Sequence, residues 1–447
     1  MKPLTLLEIA NACNGQLFGD ENLTVTSIET DSRNIREGSL FAAIPGNKVD
    51  GHKFIEPSVS KGMVCALCER KPECDTPYIL VDSTLQALKD IATYYRSLFG
   101  IPFIGITGSV GKTSTKEMIS SVLSQKFKVH KTSGNFNNEL GVPLTLFKLE
   151  EYHEIAVIEM GINSFGEMSR LGNIVKPNIE VFTNIGNCHL EKLIDRDGVY
   201  KAKTEMIDFL KKDGTIYYNG DDDKLKQISS LDKNSVSFGL SDSNNYFATN
   251  IESNETTSVS CRMICKNGAF DVTVPALGDF MVINALCAAA IGENFGLSLE
   301  EIKSGIEKFE NVGSRSRIIE TESLTIIDDC YNANPTSVKA SIDALAKFNA
   351  RTVAIIGDMK ELGKSEFALH EETGKYICDR GIELLICVGP LSKYTSKGYL
   401  GSEYFDNIDL CINSISKFLK KGDVVLVKAS HSMHFEKIVE KLVTLNL

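Results

Sequence analysis

A glycine-rich segment that begins at Gly105 carries the clearest chemical signal in this sequence. An apolar, strand-like run leads into it, and a helix-like pattern starts at Lys112. In that context, backbone N–H groups and the helix N-terminus bind phosphate oxygens, a lysine reaches the outer phosphates, and a hydroxyl holds Mg²⁺. We predict an ATP site here, with an ordinary tight turn as the alternative. The predicted nucleotide-binding residues are Gly108, Ser109, Val110, Gly111, Lys112, Thr113 and Ser114.

The spacing of this loop differs from the common phosphate loop. The common motif has a glycine five residues before its Gly-Lys pair, where this chain has Ile106. Gly108 stands three residues before Gly111 instead. The loop therefore departs from the common motif in the spacing of its glycines.

Two side chains that follow buried strands could complete a phosphoryl-transfer site. Glu159 ends the apolar run 155–158, and ligands of open α/β sheets collect at such carboxyl ends. A single carboxylate there suits Mg²⁺, which prefers few carboxylates plus phosphate and water. A solvated strand end is the alternative for Glu159. His189 follows a further strand exit, where a lone histidine is more often an ordinary polar residue.

Lys203 interrupts an apolar helical stripe. The segment 198–210 has helical periodicity, and Lys201 falls on its polar face. The residues that share the apolar face are Val199, Lys203, Met206, Ile207 and Leu210. The Lys203 stem could snorkel to solvent. Otherwise burial depresses the pKa of Lys203 and frees the neutral amine that reacts with CO₂.

Three blocks of secondary structure position these groups. The length of 447 residues predicts about three domains. We expect an α/β protein with a small mixed α/β domain over 1–99 and a central parallel-sheet ATPase domain over 100–313. A smaller Rossmann-like domain follows over 314–447. Within the central block, residues 261–274 are predicted to form a hairpin that turns at Asn267-Gly268.

Composition narrows the class of protein. The net charge of −11 argues against a nucleic-acid partner. The sequence contains no apolar run near the ~18 residues of a membrane span, and its N-terminus does not resemble a signal peptide. The 12 cysteines are scattered, and the single CxxC, Cys65–Cys68, lacks a second pair at zinc-site spacing. We therefore expect reduced thiols, a cytoplasmic location and a monomer.

The motifs together resemble those of the Mur ligase family, whose members join an amino acid or dipeptide to a UDP-muramoyl precursor. The loop TGSVGKT is similar to the family's phosphate loop. Residues 30–33 and 50–52 resemble its UDP-binding domain, and residues 133–138 with 141–143 resemble its substrate loop. In the third block, residues 328–335 and 357–363 are similar to the branch that adds D-alanyl-D-alanine.

The resemblance implies a role for individual residues. Glu159 and His189 match metal ligands, which implies two magnesium ions, and Lys203 matches a carbamylated lysine that supplies a further anion. Asn284 and Arg315 match nucleotide contacts, although Met281 stands where relatives have another adenine-binding asparagine. The positions that match substrate-binding residues are Ser32, Arg33, Asn137, Asn138, Asp329, Asn332 and Asn334.

The resemblance implies ATP-dependent formation of an amide bond through an acyl phosphate. The expected substrates are UDP-N-acetylmuramoyl-tripeptide and D-alanyl-D-alanine. One alternative is a related ligase that adds a single amino acid or glutamate. Another is a phosphate-loop switch that hydrolyses ATP without forming a ligation product.

Overall fold

A computed structural model describes residues 1–46, 49–254 and 257–447. The first part of the chain builds a sheet of strand order β2-β7-β6-β5-β4, whose pairs are parallel except β2–β7. A small β1–β3 pair lies beside it. The strands are β1 Leu4–Thr5, β2 Gln16–Phe18, β3 Thr24–Val25, β4 Ser27–Glu29, β5 Ser39–Ala42, β6 Met63–Cys68 and β7 Tyr78–Leu80; the helices are α1 Leu6–Cys13, α2 Ile55–Val59 and α3 Thr84–Ser97.

The central part contains a fully parallel sheet of order β13-β12-β11-β8-β10-β9. The strands are β8 Phe103–Thr107, β9 Val129–Lys131, β10 Ile155–Glu159, β11 Ile179–Phe182, β12 Thr215–Asn219 and β13 Asn234–Phe238. The helices are α4 Lys112–Leu123, α5 Gly141–Leu146, α6 Glu167–Val175, α7 Leu190–Leu193, α8 Arg196–Thr204, α9 Asp279–Asn294 and α10 Leu299–Glu307. The predicted parallel, doubly wound sheet is confirmed.

An antiparallel sheet follows the central one in sequence. Its strands are β14 Phe247–Asn254, β15 Ser258–Cys265 and β16 Gly268–Val274. The predicted hairpin corresponds to β15 and β16, and β14 is a strand that the alternation did not reveal.

The last part has a sheet of order β17-β18-β22-β19-β20-β21, parallel except for the edge strand β17. The strands are β17 Arg317–Glu320, β18 Thr325–Asp328, β19 Thr352–Gly357, β20 Leu384–Val388, β21 Glu403–Phe405 and β22 Val424–Lys428. The helices are α11 Pro335–Leu345, α12 Glu366–Asp379, α13 Ser392–Lys397, α14 Ile408–Ser414 and α15 Glu436–Val443. The pattern of residues near 412–419 predicts a helix there. The observed α14 begins earlier, because Asn407 caps its N-terminus and accepts a hydrogen bond from Leu410 N.

The three-domain α/β architecture is confirmed, whereas its limits at 99/100 and 313/314 stay a prediction. The first two parts of the chain share a hydrophobic cluster that runs from Leu4 through Tyr95 to Leu146. Arg96 adds a polar tie, because its Nε donates to Val175 O at the C-terminus of α6 over 2.7 Å. Among the described residues, no helix combines the length and the apolar character needed to cross a bilayer.

Glu180 is a carboxyl group buried in the central sheet. It lies on β11 with 0% exposure, and neither carboxylate oxygen has a hydrogen-bond partner among the residues that the structure describes. Burial raises the pKa of Glu180 to about 8, with a lowering contribution from Lys233. The folded protein therefore holds a proton here that the unfolded chain releases at lower pH.

We expect Glu180→Gln to become increasingly stabilising as the pH rises. Below about pH 4, Glu180 is protonated in both states, so it contributes no pH dependence. Between that value and about 8, wild-type stability falls by up to about 1.4 kcal/mol per pH unit, because only the unfolded state ionises fully. Urea unfolding of both proteins at about pH 5 and about pH 8 measures this, with exposed Glu322→Gln as control. A constant difference between Glu180→Gln and wild type at both pH values would contradict it.

Candidate active site

The glycine-rich loop connects β8 to α4 at the carboxyl edge of the central sheet. Gly108 has φ +153°, and a Cβ there would lie 1.9 Å from Thr183 Oγ1, so only glycine fits. Gly111 has φ +82° and immediately precedes α4. Lys112 donates from Nζ to Gly108 O over 2.8 Å, which folds its ammonium back over the loop.

Residues after β11 hold this loop in place. Asn184 accepts hydrogen bonds from Ser109 N through its carbonyl oxygen (3.0 Å) and from Val110 N through its side chain (2.9 Å). Thr183 donates from Oγ1 to Val110 O over 2.6 Å. Thr183 and Asn184 are functional residues without a sequence-based prediction, although their position directly after a buried strand is the signal that points to them.

The predicted metal ligands Thr113 and Glu159 are neighbours. Thr113 Oγ1 donates to Glu159 Oε2 over 2.8 Å, and Asn137 Nδ2 donates to Glu159 Oε1 over 2.7 Å. The carboxylate of Glu159 is buried, and the ammonium of Lys116 lies 4.0 Å from it. The strand order places β10 beside β8, so residues 46 positions apart meet at one edge of the sheet.

These groups open into a cleft of about 450 Å³ between the central and last parts of the chain. The sequence-predicted site residues that line this cleft are Ser109, Val110, Gly111, Lys112, Thr113, Ser114, Asn137, Asn138, Glu159, His189, Asn284, Arg315, Asp329, Asn332 and Asn334. Ser32 and Arg33 lie apart from it, in the first domain, where the exposed Arg33 pairs with Asp31. Volumes of this order hold a nucleotide or a drug-sized ligand.

Lys203 is not among the residues that line the cleft, and it has 1% exposure. Burial lowers the pKa of Lys203 to about 8, while Cys188 raises it and Lys112 lowers it. Its ammonium makes no hydrogen bond or ion pair with any described residue. The other predicted members of the apolar stripe are buried and Lys201 is exposed, as expected. The α-helix, however, ends at Thr204 and continues as a 3₁₀ turn over Glu205–Phe209.

Asn284 and Arg315, the residues expected to contact the nucleotide, already interact with other side chains of the protein. Asn284 accepts from Thr115 Oγ1 over 3.0 Å and donates through Nδ2 to Met281 Sδ over 3.4 Å. The guanidinium of Arg315 stacks 3.7 Å from the ring centroid of Tyr331. Phe280 and Ile283 add apolar lining to the cleft near Met281.

Several residues expected on the acceptor side have structural contacts of their own. Asp329 accepts from Lys428 Nζ and Ser341 Oγ, both over 2.6 Å, and from Ser316 N over 3.1 Å. Asn334 caps α11, and its side chain accepts from Ser337 N. Asn332 accepts from Ala333 N, and Asn138 accepts from Leu140 N and Gly141 N.

Comparison with known proteins covers nearly the whole chain. Three family models match: "Mur ligase family, catalytic domain" over residues 24–96, "Mur ligase middle domain" over 106–292, and "Mur ligase, glutamate ligase domain" over 314–431. A UDP-N-acetylmuramoyl-tripeptide–D-alanyl-D-alanine ligase of Bacillus subtilis is 36% identical, with 98% of each chain covered.

Two solved structures are similar along almost their full length. MurF from Acinetobacter baumannii has a TM-score of 0.92 at 30% identity and 99% coverage of both chains. MurF from Thermotoga maritima, in complex with ADP, has a TM-score of 0.85 at 28% identity, covering 93% of this chain and 97% of that one.

Proposed function

Because this chain belongs to the Mur ligase family, we propose that its cleft joins a dipeptide amine to a peptide carboxylate at the expense of ATP. The protein is an ATP-dependent ligase of peptidoglycan precursor synthesis that adds D-alanyl-D-alanine to UDP-N-acetylmuramoyl-tripeptide. A monomer and a cytoplasmic location stay predictions.

One observation carries the assignment of chemistry to this cleft. The phosphate loop with Lys112 and Thr113, the carboxylate of Glu159 and the loop 329–334 of the last domain line the same cavity. A phosphate donor and an amine acceptor bound on its opposite walls would meet there. Positioning of this kind supplies much of the rate enhancement in phosphoryl and acyl transfer.

The reaction has two steps. A carboxylate oxygen of the tripeptide attacks the γ-phosphorus of ATP. The bond between that phosphorus and the β–γ bridging oxygen breaks, and ADP leaves. The dipeptide nitrogen then attacks the acyl carbon of the resulting acyl phosphate and loses a proton. The tetrahedral intermediate expels phosphate and leaves the amide. Lys112 is proposed to neutralise charge on the transferred phosphoryl group.

Mg²⁺ fits the chemistry of these residues. No described set of three or more His, Cys, Asp or Glu side chains forms a ready metal cage, but Mg²⁺ at phosphate sites needs only one or two carboxylates, with phosphates and water completing its shell. The adjacent hydroxyl of Thr113 and carboxylate of Glu159 could supply the protein ligands of such an ion. We propose that Thr113, Glu159, His189 and carbamylated Lys203 serve two ions, which would offset negative charge as it develops.

The three domains are proposed to divide the substrates. Residues 1–99, which include Ser32 and Arg33, would bind the UDP end, residues 100–313 ATP, and residues 314–447 the dipeptide. Arg315, stacked on Tyr331, and Asn284, beside Met281, are proposed to contact the nucleotide. Asn137, Asn138, Asp329, Asn332 and Asn334 are proposed on the substrate side. The carboxylate of Asp329 is held by Lys428 and Ser341, so we propose that Asp329 acts on the dipeptide by shaping its loop and not as a free anion.

We expect ADP release to require both UDP-tripeptide and D-alanyl-D-alanine. L-alanyl-L-alanine should fail, because a fixed pocket recognises the positions of methyl and carboxylate groups together. A coupled assay with each amine in turn measures this, with the UDP-tripeptide omitted as control. Equal turnover with the L-dipeptide or glutamate would assign another ligase activity, and turnover without acceptor would indicate a simple ATPase.

A further inference from the structure

The loop after β19 reaches from the last domain to His189, one of the proposed metal ligands in the cleft. Its residue Glu361 lies against His189, which is 172 positions earlier in the chain, with 2.5 Å between Oε2 and Nδ1. We propose that Glu361 is a positioning residue that orients the His189 imidazole so that its Nε2 can bind a divalent cation. This inference rests on the proposed metal role of His189.

The backbone on both sides of this contact has an uncommon conformation. His189 has φ +53° and Glu361 has φ +63°, and positive values are unusual for residues other than glycine. Glu191 N also donates to Glu361 O over 3.3 Å. Conformations of this kind persist where the surroundings enforce them, often at functional sites. The two loops therefore present His189 and Glu361 to each other through backbone as well as side-chain contacts.

Close packing leaves little freedom between the loops. Gly363 has φ +58°, and a Cβ added there would lie 3.0 Å from Glu191 Cα. A larger residue would push the loop that carries Glu361 away from α7. The hydrogen bond to His189 is thus built into the interface of the two domains.

The chemistry of the bond fixes the histidine tautomer. A carboxylate accepts hydrogen bonds, so Nδ1 carries a proton, and in the neutral imidazole the lone pair of Nε2 is then available to a metal ion. Among the described residues, no hydrogen bond occupies Nε2. Carboxylates that hold a metal-binding histidine in this way fix its orientation and raise its basicity.

Glu361 also links metal binding to the position of the dipeptide domain. His189 belongs to the central block, whereas Glu361 follows β19 of the last domain. The imidazole is held only while the two domains are docked as they are here. The affinity of His189 for a metal ion would therefore depend on whether the domain proposed to bind the dipeptide is docked against the central domain.

Binding of Mn²⁺ tests the proposal without using activity. Free Mn²⁺ is counted by electron paramagnetic resonance during titration of the full-length protein with a non-hydrolysable ATP analogue present. Glu361→Ala should weaken binding by about tenfold or more, in the range seen when such supporting carboxylates are removed. Glu361→Gln should lose less, because its amide oxygen can still accept from Nδ1. Glu371→Ala, which removes a carboxylate paired with Lys375 in the same domain, should bind as wild type does.

His189→Ala separates the possible outcomes. If it weakens Mn²⁺ binding and a second change, Glu361→Ala, adds nothing, the two residues act as one unit and the proposal stands. If His189→Ala weakens binding but Glu361→Ala does not, the positioning role is wrong and the metal role of His189 survives. If neither variant changes binding, His189 is not a metal ligand, and both the metal role of His189 and the positioning role of Glu361 are wrong. Ligase activity is judged separately, by dipeptide-dependent ADP release from the wild-type protein.

Discussion

Replacing Lys203 with alanine is expected to abolish nearly all ligation while leaving the protein folded. Lys203 is buried and forms no ion pair with the described part of the chain, and burial lowers its pKa to about 8. At neutral pH about a tenth of such amines are neutral, against less than a thousandth for an unperturbed lysine. The neutral nitrogen can add to CO₂ and lose a proton, which leaves a carbamate anion. Without that anion the proposed second Mg²⁺ loses a ligand.

The Lys203 experiment includes a rescue and a matched control. A short-chain carboxylic acid should restore part of the activity of Lys203→Ala by supplying an oxygen anion in the vacated space. Lys201→Ala, on the exposed face of the same helix, should keep most of its activity. Circular dichroism verifies folding, and isotope-labelled CO₂ with carbon NMR detects the carbamate. Normal turnover of Lys203→Ala, or an essential Lys201, would refute the assignment.

Replacing Lys112 with alanine is expected to lower the rate of ligation on the order of 10²-fold or more. Its Nζ now donates to Gly108 O, so the ammonium rests at the loop that we propose binds the phosphates. Removing it leaves charge on the transferred phosphoryl group without its closest cation. Because the charge grows in the transition state, we expect the loss mainly in kcat, with a smaller change in nucleotide binding.

Steady-state kinetics with ATP varied measures both effects for Lys112. Lys128→Ala, an exposed lysine beyond α4, is the control and should behave as wild type does. Near-normal turnover of Lys112→Ala would contradict the assignment of this loop to phosphate binding. A loss confined to KM would instead indicate that Lys112 binds ATP equally in the ground and transition states.

Local sequence patterns were sufficient to predict three of the six strands of the central sheet, β8, β10 and β11. The apolar run 179–182 predicts a strand with the bounds of β11, and the helix-like pattern from Lys112 predicts the start of α4. Continuous apolar runs and glycine-rich turns depend on neighbouring residues, so the sequence shows them directly. Edge strands such as β17 and β21 escaped prediction because they are short and only partly buried. Their pairing is decided by the neighbouring strand rather than by their own composition.

The sequence by itself determined the glycine-rich loop between β8 and α4 and the burial of Lys203. The loop follows from a turn between a strand and a helix, and the burial follows from the apolar stripe along α8 and the 3₁₀ turn after it. The structure alone decided which distant residues meet, such as Thr113 with Glu159 and His189 with Glu361. Those contacts depend on strand order and on how two domains dock, which no spacing along the chain encodes. The contact between His189 and Glu361 can be found only from the tertiary structure, because domain packing brings together groups that are far apart in the sequence.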